Sequence, residues 1–363
     1  MARFAMPTWM PVRKHTEVSD ETHVADVATE DSDASAVRRL SIGRGPVGDI
    51  AAGPRAIAVA NPADDTLTLL DPHTLAERAV LGLDGEPTGV VVSDDRAYVS
   101  VTSAQQDAVV VVDVETAGVT ATFPVASGIT ALAVGPDGKR LYAGRASADR
   151  VEVTVIDVTA ERAGTIDIGK GPAANIDALA LDPRGRRLLV AVTDDRGSQL
   201  VIVDAETARV QRVVPVRSPL RDLACAGDTV YALTSDRTIG GAVHVIDLAT
   251  ARVTGTIAVG GAPTQLSLSR DEARVYVVDY DRVHVVDATR LEVVDALTAP
   301  VRPSCVAHSA DGGELFLADY TGGLSVHAVE STIGMLYSQF LATEPFALSV
   351  RQPVGAEPRQ RHW

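Results

Sequence analysis

Only 2 of the 363 residues are cysteine, and only 4% are aromatic. Two cysteines cannot build a disulfide framework, and no Cys-x-x-Cys-His or paired Cys/His spacing marks a haem or zinc site. No apolar run approaches the 18 residues that a membrane-spanning helix needs. The start, MARFAMPTWMPVRKH, is broken by Pro7 and Pro11 and lacks the continuous apolar segment of a secretory signal, so a cytoplasmic location is expected. Positive charge is also scarce. Lys and Arg total 33 against 48 Asp and Glu, a net charge of -15 that argues against a general nucleic-acid binder and against adhesion to an anionic membrane. Lysine itself is confined to Lys14, Lys139 and Lys170.

What is present is periodic. An apolar pair followed by aspartate recurs as Leu69-Leu70-Asp71, Val111-Val112-Asp113, Val155-Ile156-Asp157, Ile202-Val203-Asp204, Val245-Ile246-Asp247 and Val285-Val286-Asp287. The aspartates are spaced by 42, 44, 47, 43 and 40 residues, and one more period of 40 reaches His327 in a degenerate seventh copy. Each unit holds short β-branched runs separated by turns such as Gly135-Pro136-Asp137-Gly138 and Asp182-Pro183-Arg184-Gly185. Such runs are strands and hairpins, and four strands per period of 40 to 47 residues predict a propeller blade. The reading is an all-β, seven-bladed β-propeller of four-stranded antiparallel blades over residues 37–336. An acidic tail expected to be disordered (1–36) precedes it, and a C-terminal tail (337–363) follows. Residues 15–36 carry seven carboxylates and no Lys or Arg, the composition of a chain that cannot bury enough apolar surface to fold.

The repeated aspartates suggest catalysis by their repetition, but their position argues otherwise. Each ends a third strand, with a threonine two or three residues later in most copies. That is the pattern of an Asx-turn capping a hairpin. Closure is read from Leu40-Ser41-Ile42-Gly43-Arg44-Gly45-Pro46, which aligns with the end of an outer strand at Thr256 to Pro263. Arg39–Ile42 therefore completes the seventh blade as its outer strand, and Ile333–Leu341 competes for the same slot. Gly43-x-Gly45-x-x-Gly48 imitates a dinucleotide fingerprint, but more strands follow it instead of a helix, so it reads as a blade crossover.

Tyr98-Val99-Ser100-Val101-Thr102, Ala58-Val59-Ala60-Asn61, Tyr142-Ala143-Gly144 and Tyr276-Val277-Val278-Asp279 resemble the second-strand motif of the YVTN-type β-propeller repeats. The Pro-Asp-Gly turn and the valine-rich strand ending in Asp belong to the same pattern. The resemblance covers about residues 37 to 336 and implies a bacterial seven-bladed propeller, in a family that includes surface, scaffold and enzyme-like proteins. WD repeats are not expected, since the only tryptophans are Trp9 and Trp363.

Ligands of a propeller gather at its central channel. Aligning the copies on their turns places Thr88, Thr130, Asp177, Thr264 and Ser304 at one position at the start of the inner strands, with Val47 and Leu220 in the remaining two blades. Such a ring suits a small polar ligand, or serves only to meet crossover backbone groups. Arg221 and Asp222 add a charge pair that either anchors an anion or pairs internally and with Asp177. His308 stands where other blades carry Val134, Leu181 and Leu268; it is either a hydrogen-bonded core residue or a general base tuned by burial. His244 and His284 share a position on adjacent blades without a third ligand, so no metal site is expected. The loops between second and third strands hold Asp64, Asp65, Asp107, Asp149, Asp194, Asp195, Asp236, Asp279, Asp281 and Asp319, an expected negative face.

The expected function is a non-enzymatic, monomeric binding or scaffold propeller with no cofactor, holding a protein or small polar ligand at that face or in the channel through Thr88, Thr130, Asp177, Arg221, Thr264 and Ser304. The alternative is a lactonase-like hydrolase using His308, Arg221, Asp222 and Asp177. A quinone-cofactor dehydrogenase is a third possibility.

Overall fold

The computed structural model describes residues 38–299 and 301–329. Both tails, including Ile333–Leu341, lie outside them. Among the described residues, 28 strands form seven four-stranded antiparallel sheets, and no helix is present. Six sheets use four consecutive strands, as in Asn175–Leu181, Arg187–Asp194, Gly197–Asp204 and Arg209–Val216 of blade 4. The seventh joins Pro303–His308, Glu314–Asp319 and Gly323–Ala328 to the first strand of the chain, Arg38–Ser41. Arg38 pairs with Val326 and Ser41 with Gly323, so the N-terminal strand closes the ring and removes its open edge.

Each sheet is covered on both faces, which explains why the second strands read as unbroken apolar runs rather than alternations. Ile57–Asn61 is buried at every position. Its odd and even side chains enter two different cores, Ile57 and Val59 facing blade 7 and Ala58 and Ala60 facing blade 2. Seven such clusters fill the seven gaps between blades. The closing gap holds Leu40 and Ile42 of the N-terminal segment against Phe316, Leu324 and Val326. Burial at about 25 cal/mol per Å² of apolar surface makes these gaps the main source of stability.

The repeated aspartates are hairpin caps. Asp71 Oδ1 accepts the N–H groups of His73 and Thr74, Asp113 Oδ1 those of Glu115 and Thr116, and Asp204 Oδ1 those of Glu206 and Thr207. Two further regularities come with the cap. Its turn forces the residue four positions after Asp into the left-handed region, and that residue is never glycine: Leu75, Ala117, Glu161, Ala208, Ala251 and Leu291 have φ between 49° and 61°. Each costs about 1 kcal/mol. The hairpin accepts the strain because the carboxylate already holds the chain in that path.

Candidate functional site

The inner strands all begin at one face of the ring, and their first residues build the mouth of the channel. In five blades the pairing slips there by one residue, leaving Thr88, Thr130, Asp177, Arg221 and Ser304 unpaired in a bulge. Gly48 and Thr264 occupy the same slot, each donating its N–H to a second-strand carbonyl at 3.0 Å. This register corrects the alignment made on turns. Gly48 and Arg221 complete the ring, while Val47 and Leu220 lie one residue earlier and are buried. Turn-based alignment misses this because the hairpin turns differ in length: two residues separate Gly53 from Ala56 and Ala226 from Thr229, against four between Gly135 and Arg140. Thr88, Thr130, Arg221 and Thr264 are exposed and Asp177 and Ser304 are half-buried, so the ring lines an open vestibule.

One residue deeper, the seven positions are Asp49, Gly89, Ala131, Ala178, Asp222, Gln265 and Cys305, and three polar side chains there tie the inner strands together. Asp49 Oδ2 accepts the Val90 N–H of the next blade at 2.9 Å, Asp222 Oδ2 accepts that of Leu266 at 2.9 Å, and Gln265 Oε1 accepts that of Val306 at 2.7 Å. The other carboxylate oxygens take the Ile50 and Leu223 amides at 2.9 and 2.8 Å. Gln265 Nε2 also reaches Asp49 Oδ1 at 3.4 Å, from blade 6 to blade 1. Five of the seven equivalent amides are thus capped by three side chains. The other two, Leu132 and Leu179, follow Gly89 and Ala131 on the preceding blades, which have no group to offer. This neck forms the floor of the vestibule.

Burial dominates the electrostatics of the floor. Desolvation raises Asp49 to about 6 against its backbone hydrogen bonds. It raises Asp222 to about 7, with the Asp49 charge adding to the shift. Both groups therefore titrate close to neutrality while acting as main-chain acceptors. Sequence reading singled out Asp222 as a channel residue but missed Asp49 and Gln265. The only signal was their shared distance from the turn.

Asp177 is engaged within blade 4. It accepts from Asn175 Nδ2 at 2.9 Å and from the Thr193 hydroxyl. Thr193 in turn meets Ser198 Oγ at 2.7 Å, and Ser198 accepts the Leu220 N–H at 3.3 Å, linking blades 4 and 5. Desolvation raises the Asp177 pKa, and the Arg221 charge opposes the rise.

His308 lies elsewhere. It is the last residue of its inner strand, four residues or about 13 Å beyond the bulge position. Its Nδ1 is 2.9 Å from Ser267 Oγ, its ring packs 4.9 Å from that of Tyr276, and its Nε2 is buried without a partner. Desolvation lowers it to about 4, so it is neutral at physiological pH. The structure brings Asp177 and Arg221 together at the mouth, sets Asp222 beneath them, and places His308 at the opposite end. His244 Nδ1 contacts Thr256 Oγ1 at 3.0 Å, and His284 Nε2 faces Asp279 Oδ2 at 3.4 Å, so these two histidines have separate partners. No group of three or more metal-ligating side chains occurs among the described residues.

No family model matches the sequence. The seven-bladed beta-propeller protein Rv1057 of Mycobacterium tuberculosis is 30% identical over 368 residues, which span 89% of this chain and 92% of that protein. The chain belongs to this family of seven-bladed β-propeller proteins. A seven-bladed beta-propeller protein of Mycolicibacterium smegmatis is 47% identical over 197 residues, covering 54% of this chain and 53% of the relative. Among solved structures, hydrazine synthase of Kuenenia stuttgartiensis superposes with a TM-score of 0.70 over 80% of this chain and 97% of that one. At 17% identity this is a likeness of fold alone.

In this propeller the acidic loops are largely occupied with their own backbone. Asp107 Oδ2 accepts the N–H groups of Gly128 and Ile129 at the start of the next blade, and Asp279 Oδ1 that of Ala262. Asp194, Asp236 and Asp319 cap their own turns, Asp281 pairs with Arg282, and Asp64 lies 4.0 Å from Arg44. Asp65, Asp149 and Asp195 are exposed, and their carboxylates bind no other side chain or amide among the described residues. A cavity of about 660 Å³ lies at the opposite mouth, walled by Val92, Val134, Leu181 and Cys225 at the ends of the inner strands.

Proposed function

We propose that the protein is a non-enzymatic binding propeller of the YVTN-repeat type. Its strand-entrance face, vestibule and exposed loop carboxylates hold a protein partner or a small polar ligand, and the molecule acts as a monomer in the cytoplasm. The observation that carries this reading is the shape of the mouth. A ring of hydroxyls, one carboxylate and one guanidinium stands open above a floor whose carboxylates already hold main-chain amides. Such a cup offers hydrogen bonds without an activated nucleophile, since His308 and Ser267 lie at the far end of the strands. The lactonase alternative needs His308, Arg221, Asp222 and Asp177 to act on one substrate across that separation.

The test is affinity capture at low salt from a native lysate, reading proteins and small molecules by mass spectrometry. The wild type is compared with Thr88→Val/Thr130→Val/Arg221→Gln and with Asp65→Asn/Asp149→Asn/Asp195→Asn. At least one captured species is expected to be lost in one of the variants. If nothing is captured, or every species survives both variants, the reading fails. Lactone hydrolysis abolished by His308→Ala would establish the enzymatic alternative instead.

A further inference from the structure

Aromatic residues are rare in this chain, and most of its tyrosines are structural. Of the six among the described residues, Tyr98, Tyr142, Tyr231 and Tyr276 are at most 5% exposed. The other two, Tyr280 and Tyr320, are 65% and 41% exposed and sit on the strand-entrance face, in the second-to-third-strand loops of blades 6 and 7. Each directly follows a loop aspartate, at a spacing of 40 residues. Both rings lie against one guanidinium, that of Arg302 from the crossover joining the same two blades. Its centre is 4.8 Å from the Tyr280 ring and 4.7 Å from the Tyr320 ring.

The stack is held from below. Asp279 Oδ1 accepts the Tyr280 N–H at 2.7 Å, and the Arg302 carbonyl accepts the Tyr320 N–H at 3.2 Å. Neighbouring carboxylates are all engaged elsewhere: Asp279 with Ala262 and His284, Asp281 with Arg282, and Asp319 with Thr321 and Gly323. No carboxylate lies within ion-pair reach of Arg302 among the described residues, so the guanidinium contacts two rings but no acidic partner there. The residues flanking Arg302 and Tyr320 also line a groove of about 360 Å³, whose apolar wall is Leu40, Ala299, Val301, Pro303, Leu317 and Leu324.

We propose that Tyr280, Arg302 and Tyr320 form the anchor of a protein interface, and that the partner presents a carboxylate beside a large aliphatic side chain. This rests on the binding reading and names the partner's chemistry. A guanidinium that rests against two rings and has no acidic partner keeps its N–H groups for recognition, and a planar carboxylate matches them with two hydrogen bonds. The adjoining groove takes the aliphatic group. Rigid tyrosines and arginine in one patch are the residue types that dominate interface energetics.

The full chain, labelled with fluorotyrosine, would be titrated with the blocked tripeptide Ac-Leu-Asp-Ala-NH2 and its Asn isostere. Signals of Tyr280 and Tyr320, assigned with Tyr→Phe variants, report the contact. The Asp peptide is expected to shift both signals saturably and to bind at least about ten-fold more tightly than the Asn peptide, a preference that Arg302→Gln abolishes. No saturable shift, equal affinity for the two peptides, or a preference surviving Arg302→Gln overturns the proposal. Binding seen only after residues 1–36 are removed also overturns it, and names the chain's own acidic segment as the occupant. A lysate partner that is lost in the vestibule or loop variants but retained by Arg302→Gln defeats this anchor and leaves the binding reading intact.

Discussion

The two ends of the channel use the same seven strands and have opposite chemistry. At the entrance a bulge leaves one residue unpaired in five of the seven blades, and the next position carries Asp49, Asp222 and Gln265 as acceptors for neighbouring blades. At the far end, pairing is regular and the equivalent positions are Ala52, Val92, Val134, Leu181, Cys225, Leu268 and His308. The entrance holds half-buried acids pushed upward, and the far end a half-buried base pushed downward, by the same desolvation. A protein interior penalises whichever form is charged, so the two ends respond to pH in opposite senses.

The largest effect should come from removing a tie. Asp222→Ala leaves the Leu223 and Leu266 amides without an acceptor and should lower unfolding free energy by about 3 kcal/mol at pH 5, measured by denaturant titration. Ser267→Ala at the far end should cost about 1 kcal/mol or less. Equal losses would remove the distinction between the ends.

The second test concerns pH. A carboxylate raised on folding favours the native state below its unfolded pKa, and that contribution is lost as pH rises through the folded value. Asp49 and Asp222 should therefore lower stability between about pH 4 and pH 7, each by roughly 1.4 kcal/mol per unit that its folded pKa stands above the unfolded one. Asp49→Asn/Asp222→Asn removes the titrating groups, keeps one carbonyl acceptor at each position and should flatten that slope. An unchanged slope would show that these carboxylates are hydrated.

His308 has the opposite sign. Its lowered pKa means that stability present above pH 6.5 is lost as pH falls toward 4. His308→Leu restores the residue type of Leu181 and Leu268, and should gain about 1.5 kcal/mol at pH 4.5 with little change at pH 8. Melting curves at the two pH values separate this from a general packing effect. The smallest effect concerns the strained hairpins, remote from both ends. Ala208→Gly should stabilise by about 0.5 kcal/mol, because relief of a positive φ slightly exceeds the added chain entropy.

Much of the fold was legible because it is written locally. The Asp-ended third strands and Pro-Asp-Gly turns repeat in sequence, and the outer-strand match at Leu40-Ser41-Ile42 correctly identified the closing strand. The site was less legible. Thr88, Thr130, Asp177, Thr264 and Ser304 were aligned in their true slot, but Leu220 was set in the slot that Arg221 fills because the hairpin turns vary in length. Asp49 and Gln265 escaped notice because their partners are main-chain amides 41 residues away, which leave no trace in side-chain identity. The loop aspartates were read as a charged face, while Asp107 is a buried acceptor for the crossover leaving its blade and Asp279 for the crossover entering its blade.

The sequence alone determined the strands, their turns, the capping aspartates and the number of blades, because these depend on β-propensity and on hydrogen bonds within a few residues. Only the tertiary structure decided which carboxylates face solvent and which hold a neighbouring blade, and which histidine is buried neutral. It alone also decided that Arg302 lies against two tyrosines. Those properties depend on the distance between blades and on the exclusion of water, and neither exists until the first strand has closed the ring.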